Sequence, residues 1–224
     1  MKFLLCSLLL AANLWGDARY KLAYKVKANL LVQLAARLAG LSKLSSEGEE
    51  VLLKGSRILV RGEKSNVMVD YGTGWMMVVD HTDNTYERLR IEDMKKRIAA
   101  DFPPALVDGL KSIFSGNGSS SAPVVRSERE GEAARMPSLE RFRKLHGLAY
   151  LAPAMESIVA LVPSVDRSLK ALRAEGRLAL ALRVQIGALL DASVEIRDYR
   201  ETSVNDREFD PPTGYQEIKV DDKE

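Results

Sequence analysis

The stretch EVLLKGSRILVRGEKSNVMVDYGTGWMMVVDHTDNTYERLR, residues 50–90, decides the fold. Short apolar runs alternate in it with tight polar turns such as Gly62–Ser65 and Asp80–Asn84. Parallel neighbours need a long crossover between them, and these connections are too short to supply one. The stretch therefore predicts an antiparallel meander with strands at residues 51–53, 57–61, 66–70, 75–79 and 85–89.

Two other segments show the period of two that is typical of a strand with one buried face. Near the N-terminus the apolar positions are Tyr20, Leu22, Tyr24 and Val26, with basic residues at most of the positions between them. In the second half the alternating apolar positions are Leu178, Leu180, Leu182, Val184 and Ile186. A further strand is predicted at residues 194–199.

Helical spacing and loop composition account for most of the remaining chain. Helices are predicted at residues 91–98, 105–114, 138–145, 154–161 and 165–175. Residues 30–41 favour a helix, and continuation of the preceding strand is the alternative. Residues 115–137 are rich in Gly, Ser and charge, which predicts a flexible linker or surface loop outside the core. Phe209–Tyr215 is predicted to form a rigid turn, because its prolines fix the backbone and its glycine permits a reversal.

The first eighteen residues have the order of a cleavable export signal. Lys2 is followed by an apolar stretch and then by the small residues Gly16 and Ala18. The apolar stretch is shorter than the roughly 20 residues that a membrane-spanning helix needs. We expect cleavage after Ala18, with Gly16 as the second choice, and a location in the periplasm or outside the cell. A buried N-terminal helix or a short membrane anchor is the alternative. Residues 19–224 would then form one domain without a cysteine, because Cys6 is the only one.

Composition and charge exclude several classes of protein. The formal net charge is +2, and the 29% of charged residues mix both signs along the chain. This is a solvated surface and not the basic patch of a nucleic-acid binder. No later segment is long and apolar enough to predict stable membrane insertion.

A search for catalytic chemistry returns no predicted catalytic residue, metal ligand or cofactor. His81 lies in a predicted turn, and His146 follows a predicted helix end, where an imidazole can cap carbonyl groups. Gly72–Gly74 lacks the lysine of a phosphate loop and lies between strands. Glu49–Glu50 and Asp191 could pair for glycoside chemistry, but such carboxylates are usually solvated. We therefore expect a protein that is not an enzyme.

Two stretches carry a resemblance to a known family. One is Glu50–Arg61 together with residues 67–70, 77–80 and 85–86, and the other is Arg207–Glu217, which contains Phe209-Asp210-Pro211-Pro212-Thr213-Gly214-Tyr215. They resemble secreted bacterial domains that are similar in turn to the periplasmic lipoprotein carriers of the LolA and LolB type. Residues 91–176 depart from that pattern, since they are long, helical and interrupted.

The resemblance implies an α+β fold, in which helices cover the concave face of a curved antiparallel sheet that forms an unclosed barrel. It also implies a carrier-like domain that binds an acyl chain, a lipid or a lipoprotein. A structural or interaction domain of the cell envelope with a fully packed interior is the alternative. Trp75 is predicted to be part of a core strand, with stacking on a ligand as the other possibility. The candidate cavity residues are Tyr20, Leu22, Tyr24, Val26, Trp75, Met77, Leu178, Leu180, Leu182, Val184 and Ile186.

Overall fold

The computed structural model describes residues 17–28, 47–94, 124–151, 176–186 and 190–218. Ten strands form one sheet in the order β10-β6-β5-β4-β3-β2-β1-β9-β8-β7. The strands are β1 (Asp17–Ala28), β2 (Glu47–Lys54), β3 (Arg57–Arg61), β4 (Ser65–Asp70), β5 (Trp75–Asp80), β6 (Thr85–Arg90), β7 (Val124–Glu132), β8 (Arg177–Ile186), β9 (Leu190–Glu201) and β10 (Gln216–Ile218). The described part of the sheet is not closed into a barrel, because its end strands β10 and β7 do not pair with each other.

The meander from β2 to β6 confirms the prediction made from residues 50–90. Each strand pairs with the next in antiparallel register, as in Leu53 opposite Ile58 and Met68 opposite Met77. The turns reverse the chain at residues with positive φ, namely Gly55, Gly74 and Asn84, a region that glycine and asparagine enter at little cost. The predicted strands at Tyr20–Val26, Leu178–Ile186 and 194–199 are also confirmed, as parts of β1, β8 and β9.

The expectation of a purely antiparallel sheet is wrong at one edge. β10 runs parallel to β6, with Gln216 opposite Thr85 and Ile218 opposite Glu87. A parallel pair needs a long connection, and here most of the chain lies between the two strands. The sheet is therefore mixed, with nine strands in antiparallel pairs and a short parallel strand added at the end.

Part of the predicted linker at residues 115–137 belongs to the fold instead. Residues 124–132 form β7, which pairs with β8, and Ala133 is buried in the core. The polar composition predicted a loop although residues 124–132 form a strand, because an edge strand is held by backbone hydrogen bonds and needs few apolar side chains. Gly131 also has a packing role, since a Cβ atom there would lie 2.2 Å from the Met136 side chain and 2.7 Å from that of Leu180. Residues 115–123 lie outside the described residues.

The predicted helix at residues 138–145 is confirmed as α1 (Pro137–His146). Pro137 occupies its first turn, where a missing N–H costs nothing. Residues 91–94 are helical, as expected for the start of the predicted helix at 91–98. The predicted helices at 105–114, 154–161 and 165–175, and the segment 30–41, lie outside the described residues.

The segment from Thr202 to Tyr215, which we call the strap, crosses one face of the sheet. Val204 and Phe209 of the strap form a small buried cluster with Leu52 and Leu59. The Arg57 guanidinium carbon lies 4.6 Å from the centre of the Phe209 ring. Ion pairs fasten the same segment to the strands, joining Arg57 to Asp206 and Arg61 to Glu208. We call the face under the strap the outer face, and the opposite face the inner face.

The first two residues of β1 are structural. The Asp17 carboxylate accepts a hydrogen bond from the Val204 amide at 3.0 Å, and the Asp17 carbonyl accepts from the Ser138 hydroxyl at 3.1 Å and the Thr202 amide at 3.2 Å. Ala18 is completely buried in the core. Cleavage after Ala18 would remove these contacts, whereas cleavage after Gly16 would keep them. If a leader is removed, the geometry favours Gly16, the second choice of the sequence analysis.

We predict that a protein beginning at Arg19 is less stable than one beginning at Asp17. Three hydrogen bonds of roughly 0.5–1.5 kcal/mol each are lost, so the free energy of unfolding should fall by roughly 1.5–4.5 kcal/mol. Denaturant unfolding of the two purified proteins measures the difference. If a leader is removed, N-terminal sequencing of the processed protein should give Asp17, and a start at Arg19 with unchanged stability would contradict this assignment.

Candidate functional site

The inner face is one continuous apolar surface built from matching positions of neighbouring strands. Its largest cluster of buried residues extends from Leu89 on β6 to Leu182 on β8, with Tyr20 and Leu22 of the central strand between them. In the meander this face is set by cross-strand register, which aligns Ala18, Leu53, Ile58, Val69, Met76 and Leu89 in one row. Every member of that row is buried.

Helix α1 covers the end of the inner face at which β1 begins, which we call the α1 end. The Ser138 amide donates to the Glu201 carboxylate at 3.0 Å, and the Ser138 hydroxyl donates to the Asp17 carbonyl. The Tyr199 hydroxyl bonds to the same Glu201 carboxylate. The N-terminal end of α1 is thereby fixed to β1 and β9.

The turn after α1 is pinned to the sheet by two buried tyrosines. The Tyr20 hydroxyl donates to the Tyr150 carbonyl, and the Tyr150 hydroxyl donates to the Ala179 carbonyl at 2.9 Å. Burial raises the pKa of Tyr20 well above its usual value, so the phenol stays a neutral donor. Since both rings are completely buried, these bonds hold residues 147–151 against β1 and β8.

The C-terminal end of α1 is held by aromatic packing. The His146 ring stacks on Tyr71 with centroids 4.7 Å apart and lies 4.9 Å from the Phe142 ring. Its Nε2 atom is buried and has no hydrogen-bond partner among the residues described. Burial lowers the pKa of His146, and the negative charge of Asp70 opposes that shift only in part. The neutral imidazole is therefore the form that fits this stack.

Beyond the row next to α1, the inner face includes side chains that are incompletely buried. Val67, Val78 and Tyr24 are only partly buried against the core, whereas the row next to α1 is buried throughout. Glu49 lies beside Tyr24, and burial together with this carboxylate raises the pKa of the Tyr24 phenol. This far end therefore combines partly buried apolar side chains with the Tyr24–Glu49 pair and with Glu87, which is directly opposite Val78.

The predicted cavity residues divide between the two faces. Tyr20, Leu22, Leu178 and Leu182 are buried on the inner face, and Tyr24 and Leu180 are partly buried there. Val26, Val184 and Ile186 belong to β1 and β8, and their side chains lie outside the described part of the structure.

Trp75 and Met77 do not join the other candidates. Met77 is the cross-strand neighbour of Met68, which packs against the cluster under the strap, so both lie on the outer face. Trp75 shares that face and is 40% exposed, so its prediction as a core residue is wrong. Strand β5 is apolar at successive positions, and periodicity alone could not show which side faces inwards.

The polar residues that were considered for catalysis have structural partners. Glu50 forms ion pairs with Arg19 and Arg61, and Asp191 forms one with Arg183. The His81 Nδ1 atom lies 2.9 Å from the Tyr215 hydroxyl, which ties the strap to the β5–β6 turn. Among the residues that the structure describes, no cluster of three His, Cys, Asp or Glu side chains could hold a metal ion. A search of the same residues found no helix that is long and apolar enough to span a membrane.

Sequence reasoning missed the residues that fix α1. Tyr150 and Tyr71 lie in turns, where the sequence has no periodic pattern. The sequence could have indicated them only as tyrosines, which need a hydrogen-bond partner when they are buried. That signal does not identify the partner, because Tyr20 and Tyr150 are 130 residues apart.

Comparison with known proteins does not extend the resemblance. No protein-family profile matches this chain. No curated protein matches it with a significant score either. The assignment to a carrier-like family therefore stays a prediction.

We predict that Tyr20→Phe lowers the free energy of unfolding by roughly 1–3 kcal/mol, because the buried Tyr150 carbonyl loses its donor. The matched control is Tyr86→Phe, whose hydroxyl makes an exposed bond of 3.3 Å to Glu217. The Tyr86→Phe control should lower the free energy of unfolding by less than about 0.5 kcal/mol. Equal effects of the two variants in denaturant unfolding would show that the buried bond does not hold the turn.

We also predict that stability falls with acidification through His146. Its pKa is lowered in the folded protein, so the unfolded chain binds the proton more readily. The stabilisation that the neutral His146 provides is complete above 6.5, the pKa of a histidine in the unfolded chain. It is lost as the pH falls below that value towards the lower pKa of His146 in the folded protein. Urea unfolding between about pH 7.5 and about pH 5.5 measures this loss.

The control for the pH effect is His146→Phe, which keeps an aromatic ring on Tyr71 but cannot titrate. The free energy of unfolding is measured against pH for both proteins, and the variant's values are subtracted from those of the unaltered protein. The difference contains the contribution of the His146 imidazole without those of His81 and the carboxylates. Identical profiles for the two proteins would show that His146 is not the titrating group.

Proposed function

We propose that this chain is an exported, non-enzymatic binding domain that carries an apolar ligand on the inner face of its sheet. The ligand class is an acyl chain, free or as part of a lipid or lipid-modified protein. One observation carries the proposal: a largely apolar face spans an unclosed ten-stranded sheet, and Tyr24, Val67 and Val78 on that face are incompletely buried. Ligand sites are typically concave, mostly apolar and provided with few polar groups.

The far end supplies the contacts that such a ligand needs. Val67 and Val78 offer apolar surface on neighbouring strands, since they are directly opposite each other in the β4–β5 register. Tyr24 and Glu49 place a hydrogen-bonding pair on the same face, which suits the polar end of the ligand. Export is supported by the leader-like order of the first eighteen residues and by the resemblance to secreted domains.

In this proposal α1 is a fixed cover and not the part that opens. It is anchored through Ser138 at one end, through His146 at the other, and through Tyr150 in the following turn. Releasing it would leave several buried polar groups without partners, at about 1–3 kcal/mol for each. The ligand therefore enters at the far end, where burial is already incomplete.

A second candidate is a structural or interaction domain whose interior is permanently packed. The buried hydrogen bonds from Tyr20 to Tyr150 and from Tyr150 to Ala179 favour it, because they fix a rigid interior at the α1 end. The two candidate functions differ in whether a ligand binds at the far end of the inner face.

We predict that Val78→Trp weakens binding of the fluorescent fatty acid cis-parinaric acid while leaving stability nearly unchanged. The larger side chain would occupy the partly open far end. The matched variant is Leu182→Trp, at a site that is buried on the same face. Overpacking there should lower the free energy of unfolding by roughly 1–3 kcal/mol and leave probe affinity much less affected.

Probe titration and thermal melts of the unaltered protein and both variants decide between the two candidates. A native mass spectrum of the protein purified from its own periplasm would reveal a retained acyl chain. If the unaltered protein does not bind the probe and both variants are simply destabilised, the carrier function is wrong and the packed domain remains.

A further inference from the structure

The outer face of β5 and β6 displays two arginine–aromatic pairs beside each other. Trp75 is directly opposite Arg90 in the strand register, and the Arg90 guanidinium carbon lies 4.2 Å from the centre of the indole ring. Arg88, two residues earlier on β6, lies 5.5 Å from the centre of the Tyr86 ring. Arg88, Arg90 and Trp75 are all exposed, which is unusual for a tryptophan in a sheet. We call these four residues the Trp75 patch.

The two arginines of the Trp75 patch are not neutralised by the part of the chain that the structure describes. Neither forms an ion pair there, whereas Arg57, Arg61 and Arg183 all do. Arg90 donates to the Thr73 carbonyl at 3.4 Å, a contact that leaves its charge uncompensated.

Nearby carboxylates are committed to other groups. The Asp70 carboxylate, next to Trp75 across β4, accepts from the Gly72 amide at 2.9 Å and the Thr73 amide at 3.1 Å. The Glu217 carboxylate accepts from the Tyr86 hydroxyl. Glu92 and Asp93 follow on the helical turn after β6 and have contacts of their own. The outward-facing groups of the patch are therefore an indole and two guanidinium ions.

We propose that the Trp75 patch docks the protein on a membrane surface that contains anionic phospholipid. Tryptophan prefers the interface between acyl chains and headgroups, because its ring is apolar and its N–H is polar. Guanidinium groups bind phosphate through paired N–H donors, and each basic side chain near an anionic surface adds to binding. An exposed indole beside two arginines that form no ion pair within the described residues complements a phosphate-bearing surface. This inference uses the outer face and does not depend on a ligand at the inner face.

Vesicle co-sedimentation of the purified protein at low ionic strength tests the proposal. Vesicles of phosphatidylcholine alone are compared with vesicles of equal parts phosphatidylcholine and phosphatidylglycerol. The protein should bind the anionic vesicles more tightly and be released as salt is added. Replacing both arginines, Arg88→Gln with Arg90→Gln, should weaken binding to anionic vesicles about thirtyfold. Trp75→Ala should weaken binding to both kinds of vesicle.

The matched control is Arg126→Gln with Arg200→Gln, which removes the same charge from two exposed residues on other strands. It should retain most of the vesicle binding, and the Arg88/Arg90 variant should still bind cis-parinaric acid if the inner face is a ligand site. Absence of vesicle binding by the unaltered protein would overturn the proposal. An equal loss in both double variants would overturn it as well, because binding would then follow net charge and not the patch.

Discussion

Strand β1 is the element on which the rest of the structure depends. It lies between the meander and the C-terminal strands, pairing with β2 on one side and with β9 on the other. Without it the meander and the β7–β9 strands would be separate sheets, each with one apolar face exposed to water. Its inner-face residues Ala18, Tyr20 and Leu22 are completely buried, so the same strand supplies both the hydrogen bonds and the centre of the core.

The two faces of the sheet are covered by different means. On the inner face, α1 and its following turn make hydrogen bonds through buried groups such as Tyr20 and Ser138. On the outer face, the strap packs Val204 and Phe209 against β2 and β3 and adds ion pairs that remain partly accessible to water. Buried hydrogen bonds are costly to break, whereas exposed ion pairs contribute little and weaken with salt. The inner face is therefore covered through buried hydrogen bonds, and the outer face through a small apolar cluster with ion pairs around it.

Local patterns in the sequence predicted the strands well, because alternation and turn residues act over a few positions. The meander at residues 50–90, the strand at Leu178–Ile186 and the helix now called α1 were all predicted. Contacts between distant segments were not predicted, including Tyr20 with Tyr150 and the parallel pairing of β10 with β6. Face assignment failed at Trp75 and Met77, since an apolar run carries no information about which side is covered.

The polar composition of residues 124–132 protects an open sheet from association with other molecules. In the described ranges β7 pairs on one side only, so its other edge presents free backbone groups of the kind that template aggregation. Five charged residues of its sequence, Arg126, Glu128, Arg129, Glu130 and Glu132, and the two irregularities in its register oppose such pairing. The opposite edge is closed by β10, which is three residues long and offers little template. Within the described residues, the charges and irregular register of β7 and the shortness of β10 therefore disfavour the addition of a further strand at either edge.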